Sequence, residues 1–258
     1  MIPVLGVPIL NRGDLLLDLV NSIDYPIEKL AIVRNGNTPD VIEALDEIQS
    51  GINPNVKSVY VSIPFRNLGV APSWNHIIKS FPESSFILIP GNDVKFSPGD
   101  LMKIYNFHSS DQEAFIYAMG FACFGITPYV IDKVGVFDEN IYPAYYEDND
   151  YSHRLKLAGV SELQVPDISP IHQEGSQTIR SDAFYNDANG QTFTKNMKYY
   201  SEKWGPDASS NHDYDMMYKN PFNDQTKDCA YWRYNPLRRK NLNEDWNNME
   251  NASNKVSF

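Results

Sequence analysis

The chain has 258 residues, with 22 Lys and Arg against 33 Asp and Glu, giving a formal net charge of −11. That length holds one large domain, or a domain with an appendage. The acidic balance argues against nucleic acid as a partner, because phosphate binding needs clustered Lys and Arg, and is compatible with a site that collects divalent cations.

No apolar run approaches the ~20 residues needed to span a bilayer. The opening MIPVLGVPIL has neither a basic n-region nor a small-residue cleavage site, so it reads as a first strand and not as a signal peptide. Cys123 and Cys229 are the only cysteines and lie far apart. They are expected as reduced thiols, which together with the missing leader predicts a cytoplasmic setting. The 16 Tyr supply core packing first and platforms for sugar rings second.

In chain order, Val4 to Ile9 is a short apolar run bounded by prolines and predicts a buried strand. Asn11-Arg12-Gly13-Asp14 breaks it, with Asp14 expected to cap a helix through Leu15, Leu16, Leu19 and Val20. Leu30 to Val33 reads as a second strand, ending in the turn-rich Arg34-Asn35-Gly36-Asn37. Pro39 opens the next helix, as proline at a first turn does. Val56 to Ile63 alternates as a third strand, Ala71 to Ser80 has helical spacing, and Phe86 to Ile89 is a wholly apolar fourth strand. Strands alternating with helices predict a mostly parallel central sheet flanked by helices, with ligands at the carboxyl ends of the strands near a switch in strand order. The loops at those ends are Asn11-Arg12, Arg34-Asn35-Gly36, Arg66-Asn67-Leu68-Gly69 and Gly91-Asn92-Asp93. All four are polar, which favours a nucleotide site.

After Asp93 the alternation changes. A helix containing Leu101, Ile104 and Tyr105 is followed by strands at Ala114 to Ala118 and Cys123 to Ile126, then a short helix from Pro128 to Val134. Tyr145 to Gly159, YYEDNDYSHRLKLAG, places Glu147, Asp148 and Asp150 just before one short helix that Gly159 ends. Asp150 and Arg154 stand one turn apart and read as a structural pair. Three carboxylates at a helix start are in part plain capping; the two preceding tyrosines are not needed for that and suggest the general base of a sugar-transfer enzyme. A strand from Glu162 to Val165 leads towards His172, and Phe193 to Trp204 reads as an amphipathic helix closed by Gly205-Pro206. From Asp207 the composition turns to Asn, Asp, Ser and Tyr without a clear period, as in an extension that wraps the domain or hangs loose.

In this order VPILNR, IVRNGNT, RNLGVAPSWNHII, LIPGNDVKFSPGDL, GVFDENIYPAYYEDNDYSHRLKLAG and IHQEGSQT, with the late KYYSEKWG run, resemble the family 2 glycosyltransferases, an inverting group of GT-A fold. The resemblance covers residues 2–205 and implies a catalytic domain over 1–205 with an extension at 206–258. It implies transfer of a sugar from a nucleotide-diphosphate sugar to an acceptor hydroxyl, as of a glycan, with help from Mn²⁺ or Mg²⁺. By the same resemblance Asp93 is the metal carboxylate and His172 a second ligand; an imidazole suits Mn²⁺ better than Mg²⁺. Asp148 is the general base, with Glu147 its close competitor, since neighbours on an extended segment point to opposite sides. Pro8, Asn11, Arg34, Asn35, Asn67, Asn75 and Asn92 fall on the nucleotide side by position, and Tyr145 and Tyr146 offer surfaces for an acceptor ring. Two departures stand out. Arg34-Asn35 replaces the family's acidic pair, and GND replaces its two-carboxylate metal motif. A sugar-phosphate nucleotidyltransferase would need a richer phosphate loop than Asn11-Arg12-Gly13, and a non-catalytic binding module of the same fold is the remaining alternative.

Overall fold

A computed structural model describes residues 1–51, 53–173 and 183–204. The expected extension at 206–258, the Gly205-Pro206 stop and Cys229 lie outside the described residues.

The first half alternates as its sequence pattern requires: β1 (Ile2–Ile9), α1 (Gly13–Asn21), β2 (Ile27–Arg34), α2 (Pro39–Gln49), β3 (Val56–Ser62), α3 (Val70–Ser80) and β4 (Ile87–Pro90). The second half follows with β5 (Val94–Lys95), α4 (Asp100–Ser110), β6 (Phe115–Met119), β7 (Cys123–Ile126), α5 (Pro128–Val134), α6 (Glu147–Leu157), β8 (Glu162–Gln164) and β9 (Ile171–His172). The last described helix, α7 (Ala183–Trp204), starts ten residues before the apolar period suggests.

Seven strands form one sheet in the order β3-β2-β1-β4-β7-β6-β8. The strands from β3 to β4 are parallel, β7 runs antiparallel to both of its neighbours, and β8 is parallel to β6. Alternation along the strands splits the core between the two faces. Leu5, Val7 and Ile9 of β1 and Leu30 and Ile32 of β2 pack with Leu16, Leu45 and Leu101 from α1, α2 and α4. Val4, Ala31, Val33 and Ile89 face Ile77, Ile131, Tyr151 and Leu155 from α3, α5 and α6. The result is the three-layer α/β architecture that the sequence predicts. Because β1 lies between β2 and β4, the chain leaves it to one side and returns on the other. The loops after β1 and β4 therefore open a crevice at the switch in strand order.

One local expectation is corrected. Asp14 does not cap α1. The helix begins at Gly13 behind a left-handed Arg12 (φ 63°), whose guanidinium takes both Asp14 oxygens at 2.8 Å, while the Gly13 N–H donates to Asp40 Oδ2 at 2.8 Å. The Arg12 hydrogen bonds, with its charge adding to them, hold the Asp14 carboxylate below the usual carboxylate range.

Candidate active site

The carboxyl ends of β1 to β4 converge on a cavity of about 380 Å³. β1 contributes Pro8 and Ile9, the residue after it Leu10, and the segment after β2 Asn35. Asn67 and Gly69 follow β3; Gly91, Asn92 and Asp93 follow β4. The remaining wall comes from the β6–β7 turn (Phe121, Ala122), from Pro143 to Tyr145, from Glu147 and Asp148 at the start of α6, and from His172 and Asn189.

Backbone pairing sets the geometry on the strand-end side. Asp93 ends the loop after β4, and Val94 of β5 pairs antiparallel with His172 of β9, so the two-stranded sheet carries the imidazole to the carboxylate. Asp93 Oδ2 and His172 Nε2 are 3.0 Å apart, and the Gln173 N–H donates to the Asp93 carbonyl at 2.7 Å. Nothing in the spacing of GND and IHQE shows that these segments form adjacent strands. Among the described residues no group of three or more His, Cys, Asp and Glu side chains could hold a metal ion. One carboxylate and one imidazole fit a divalent cation whose other ligands are substrate oxygens and water, as is usual for cations that act on phosphates.

Asn92 Nδ2 donates to the Asn11 carbonyl at 3.3 Å, so Asn11 supports the wall from behind and does not line it. The Asn35 side chain bridges loops, donating to Ser73 Oγ at 2.8 Å and accepting from the Leu68 N–H at 3.0 Å. Asn67 accepts from the Gly69 N–H at 2.9 Å. Gly69 is required by its backbone: its φ is +80°, and a Cβ there would lie 2.7 Å from the Pro143 carbonyl oxygen.

Three residues expected on the nucleotide side, Asn11, Arg34 and Asn75, lie off the cavity. Arg34 is half-buried at the end of β2. Asn75 is fully buried on the core-facing side of α3. Its Nδ2 donates to the Phe137 carbonyl and to Glu139 Oε1, and its Oδ1 accepts from the Phe137 N–H, each at 2.8 Å. Its amide therefore fixes the segment after α5. Trp74, one residue earlier, serves both purposes: it lines the cavity and packs on Phe124 and Phe137 at 5.0 and 4.8 Å.

On the helix side, the acidic segment is not extended. α6 begins at Glu147 behind a left-handed Tyr146 (φ 78°), so Glu147, Asp148 and Asp150 occupy its first turn, and both Glu147 and Asp148 reach the cavity. Asp148 is half-exposed. Glu147 is buried, and this burial, with the adjacent Asp148 charge adding to it, pushes its carboxyl up to about 8. A carboxyl held that high keeps its proton at neutral pH.

Asp150 is the anchor of that turn and has no exposure. It accepts from Arg154 Nε at 2.9 Å, Lys203 Nζ at 2.6 Å and Trp204 Nε1 at 2.9 Å. Lys203 also donates to Asp138 Oδ2 at 2.7 Å, and Tyr199 Oη donates to the same oxygen at 2.9 Å. Burial alone would raise the Asp150 carboxyl; the Arg154 and Lys203 charges override it and hold it at about 2. The expected Asp150–Arg154 pair is thus part of a buried four-charge network. Higher on α7, Asn196 Nδ2 donates to the Ala144 and Tyr145 carbonyls at 2.9 and 3.2 Å, and Phe193 packs on Tyr145 and Tyr146. Tyr145 lines the cavity, whereas Tyr146 is taken up against Phe193 and Tyr200 of α7. The sequence does carry a signal for this strut: Tyr200, Lys203 and Trp204 share one helical face, which puts a lysine on an apolar stripe.

Among the described residues no helix is long and apolar enough to cross a membrane. No protein-family model matches the sequence, and no curated protein matches it either. Solved structures do resemble the chain. A mannosyltransferase from Pyrobaculum calidifontis, in complex with GDP-Man and Mn²⁺, aligns over 100% of this chain and 76% of its own, with a TM-score of 0.59 at 13% identity. S. aureus TarS aligns over 93% of this chain and 45% of its own, with a TM-score of 0.58 at 14% identity. Its 1–349 fragment in complex with UDP-GlcNAc aligns over 91% and 79%, with a TM-score of 0.53 at 13% identity. The mostly parallel seven-stranded sheet with its flanking helices is the GT-A fold, shared with these enzymes.

Proposed function

We propose that the chain is an inverting glycosyltransferase that moves a sugar from a nucleotide-diphosphate sugar to an acceptor hydroxyl, as of a glycan. The observation that carries this reading is the cavity at the strand switch, where Asp93 and His172 on one wall face the same space as Glu147 and Asp148 on the other. The mannosyltransferase and TarS fragment of the same fold are in complex with GDP-Man and UDP-GlcNAc, which supports a nucleotide-sugar in that position. The net charge of −11 weighs against nucleic acid as the partner. Residues 1–205 form the catalytic domain in this reading, and 206–258 an extension to it.

Each side chain then has a task. Pro8, Asn35, Asn67 and Asn92 line the nucleotide end, with Asn11 behind Asn92. Asp93 and His172 would hold Mn²⁺ or Mg²⁺, which would offset the negative charge gathering on the departing diphosphate. Asp148 takes the proton from the acceptor hydroxyl as that oxygen bonds to the anomeric carbon. The bond from that carbon to the diphosphate oxygen breaks, and the diphosphate leaves with the electron pair. Asp148, not Glu147, suits the base, because Glu147 is already protonated at neutral pH. Among the described residues one carboxylate is left as a base and no second one is free to act as a nucleophile, which favours a single displacement and hence inversion.

The test is binding and turnover with a panel of UDP-, GDP- and dTDP-sugars, in Mn²⁺ and in chelator, with the product anomer read by NMR. Cation-dependent binding of one donor and an inverted product are expected. No nucleotide-sugar binding contradicts the enzyme reading. Binding without any turnover points to a non-catalytic module.

A further inference from the structure

The three cavity carboxyls differ in what they meet. Asp93 meets His172, and half-exposed Asp148 accepts from the Asn149 N–H at 2.8 Å. Glu147 is 6% exposed, lines the cavity, and its Oε2 has no hydrogen-bond partner among the described residues. A buried polar atom left without a partner marks a place where a bound group can supply one.

Charges from every side bear on what Glu147 can offer. Asp148 lies on its own turn; Asp93 and His172 stand on the strand-end wall and on β9. The buried cations Arg154 and Lys203 are committed to Asp150 and Asp138, so neither pairs with Glu147. Burial and Asp148 push its carboxyl up to about 8. A carboxyl without a cation partner is a donor as well as an acceptor while it keeps its proton.

We propose that Glu147 acts as a neutral carboxylic acid that donates a hydrogen bond to a hydroxyl oxygen of the donor sugar. It thereby positions that sugar and selects for a hydroxyl at that place. The inference rests on the nucleotide-sugar reading above. The donor is favoured over the acceptor because Glu147 is the buried member of the Glu147–Asp148 pair. An acceptor arriving from solvent meets half-exposed Asp148. Adjacent carboxyls in different environments thus divide into a donor and a base.

Glu147→Gln keeps a donor of the same length, and Glu147→Leu removes it at similar volume; neither titrates. The experiment measures affinity of the full chain with Mn²⁺ for UDP-, GDP- and dTDP-sugars and for the bare diphosphates, at pH 6.5 and pH 9. In wild type the sugar's contribution to affinity falls about tenfold between the two pH values, the effect of one lost hydrogen bond. The Glu147→Leu variant lacks that contribution at both pH values, and the Glu147→Gln variant keeps it at both, within about threefold. Melting without ligand gives a second readout: Tm falls more steeply from pH 6.5 to 9 in wild type than in either variant. The inference is overturned if Glu147→Leu binds the sugar as wild type does, if Glu147→Gln behaves like Glu147→Leu, or if the three melting slopes agree. If no diphosphate or nucleotide-sugar binds wild type, the donor-site reading itself fails and takes the inference with it.

Discussion

The two walls of the cavity are held in place by different forces. The strand-end wall is local: Pro8, Asn35 and Asp93 lie where β1, β2 and β4 stop, and neighbouring backbone bonds, such as Asn35 N–H to the Ile9 carbonyl at 2.7 Å, set their places. The helix-start wall is remote: Glu147 and Asp148 sit where they do because Lys203 and Trp204, more than fifty residues on, reach back to Asp150. A wall of the first kind tolerates loss of one polar contact, since the sheet remains. A wall of the second kind concentrates its stability in a few buried charges, where removing one partner strands the others.

Lys203→Met should show the contrast most strongly. It leaves Asp138 and Asp150 with Arg154 as the one remaining cation of the network, and should cost about 3–5 kcal/mol in urea unfolding. A cost under about 1 kcal/mol would mean that the helix-start wall does not depend on α7. Gly69→Ala comes next. The added Cβ meets the Pro143 carbonyl in a left-handed backbone, so about 1–3 kcal/mol is expected. This one change couples the walls, because Gly69 and Pro143 belong to opposite ones. Asn196→Ala removes two donors from the Ala144 and Tyr145 carbonyls and should cost about 1–2 kcal/mol, whereas Asn67→Ala on the strand-end side should cost about 0.5–1 kcal/mol. Equal costs would erase the distinction.

Acid sharpens the same comparison. Asp150 is held at about 2, below its ordinary 3.8. Its contribution is therefore fully present above 3.8 and is lost as pH falls through about 2. Asp150→Asn should flatten the acid limb of the stability curve over that window. An unchanged limb would show that the network charges do not act on Asp150 as the geometry requires.

The uneven legibility of the sequence has the same origin. Alternating apolar runs and polar strand exits follow from periodicity within short windows, so the sheet and the loops holding Asn35, Asn67 and Asp93 can be read directly. The resemblance adds Asp148. Sequence reading misplaces Asn75 because an asparagine on the helix behind a strand-end loop can face the cavity or the core, and only tertiary packing turns this one towards Phe137. It misreads Tyr146 for a related reason: an αL backbone turns that ring towards α7. It passes over Lys203 because a lone lysine reads as solvated until the partners that bury it are known. The β5–β9 pairing joins two-residue strands, too short for any periodic pattern to register.

The central claim, that Asp93 serves the donor and Asp148 the acceptor, is tested most directly by calorimetric titration of the preferred nucleotide-sugar in Mn²⁺, paired with turnover, for Asp93→Asn and Asp148→Asn. The account predicts that Asp93→Asn loses the cation-dependent part of donor binding. Asp148→Asn should bind donor within about threefold of wild type and lose about 10²–10⁴ in turnover, the usual contribution of a general base. Full turnover in Asp148→Asn, or unchanged cation-dependent binding in Asp93→Asn, would contradict it.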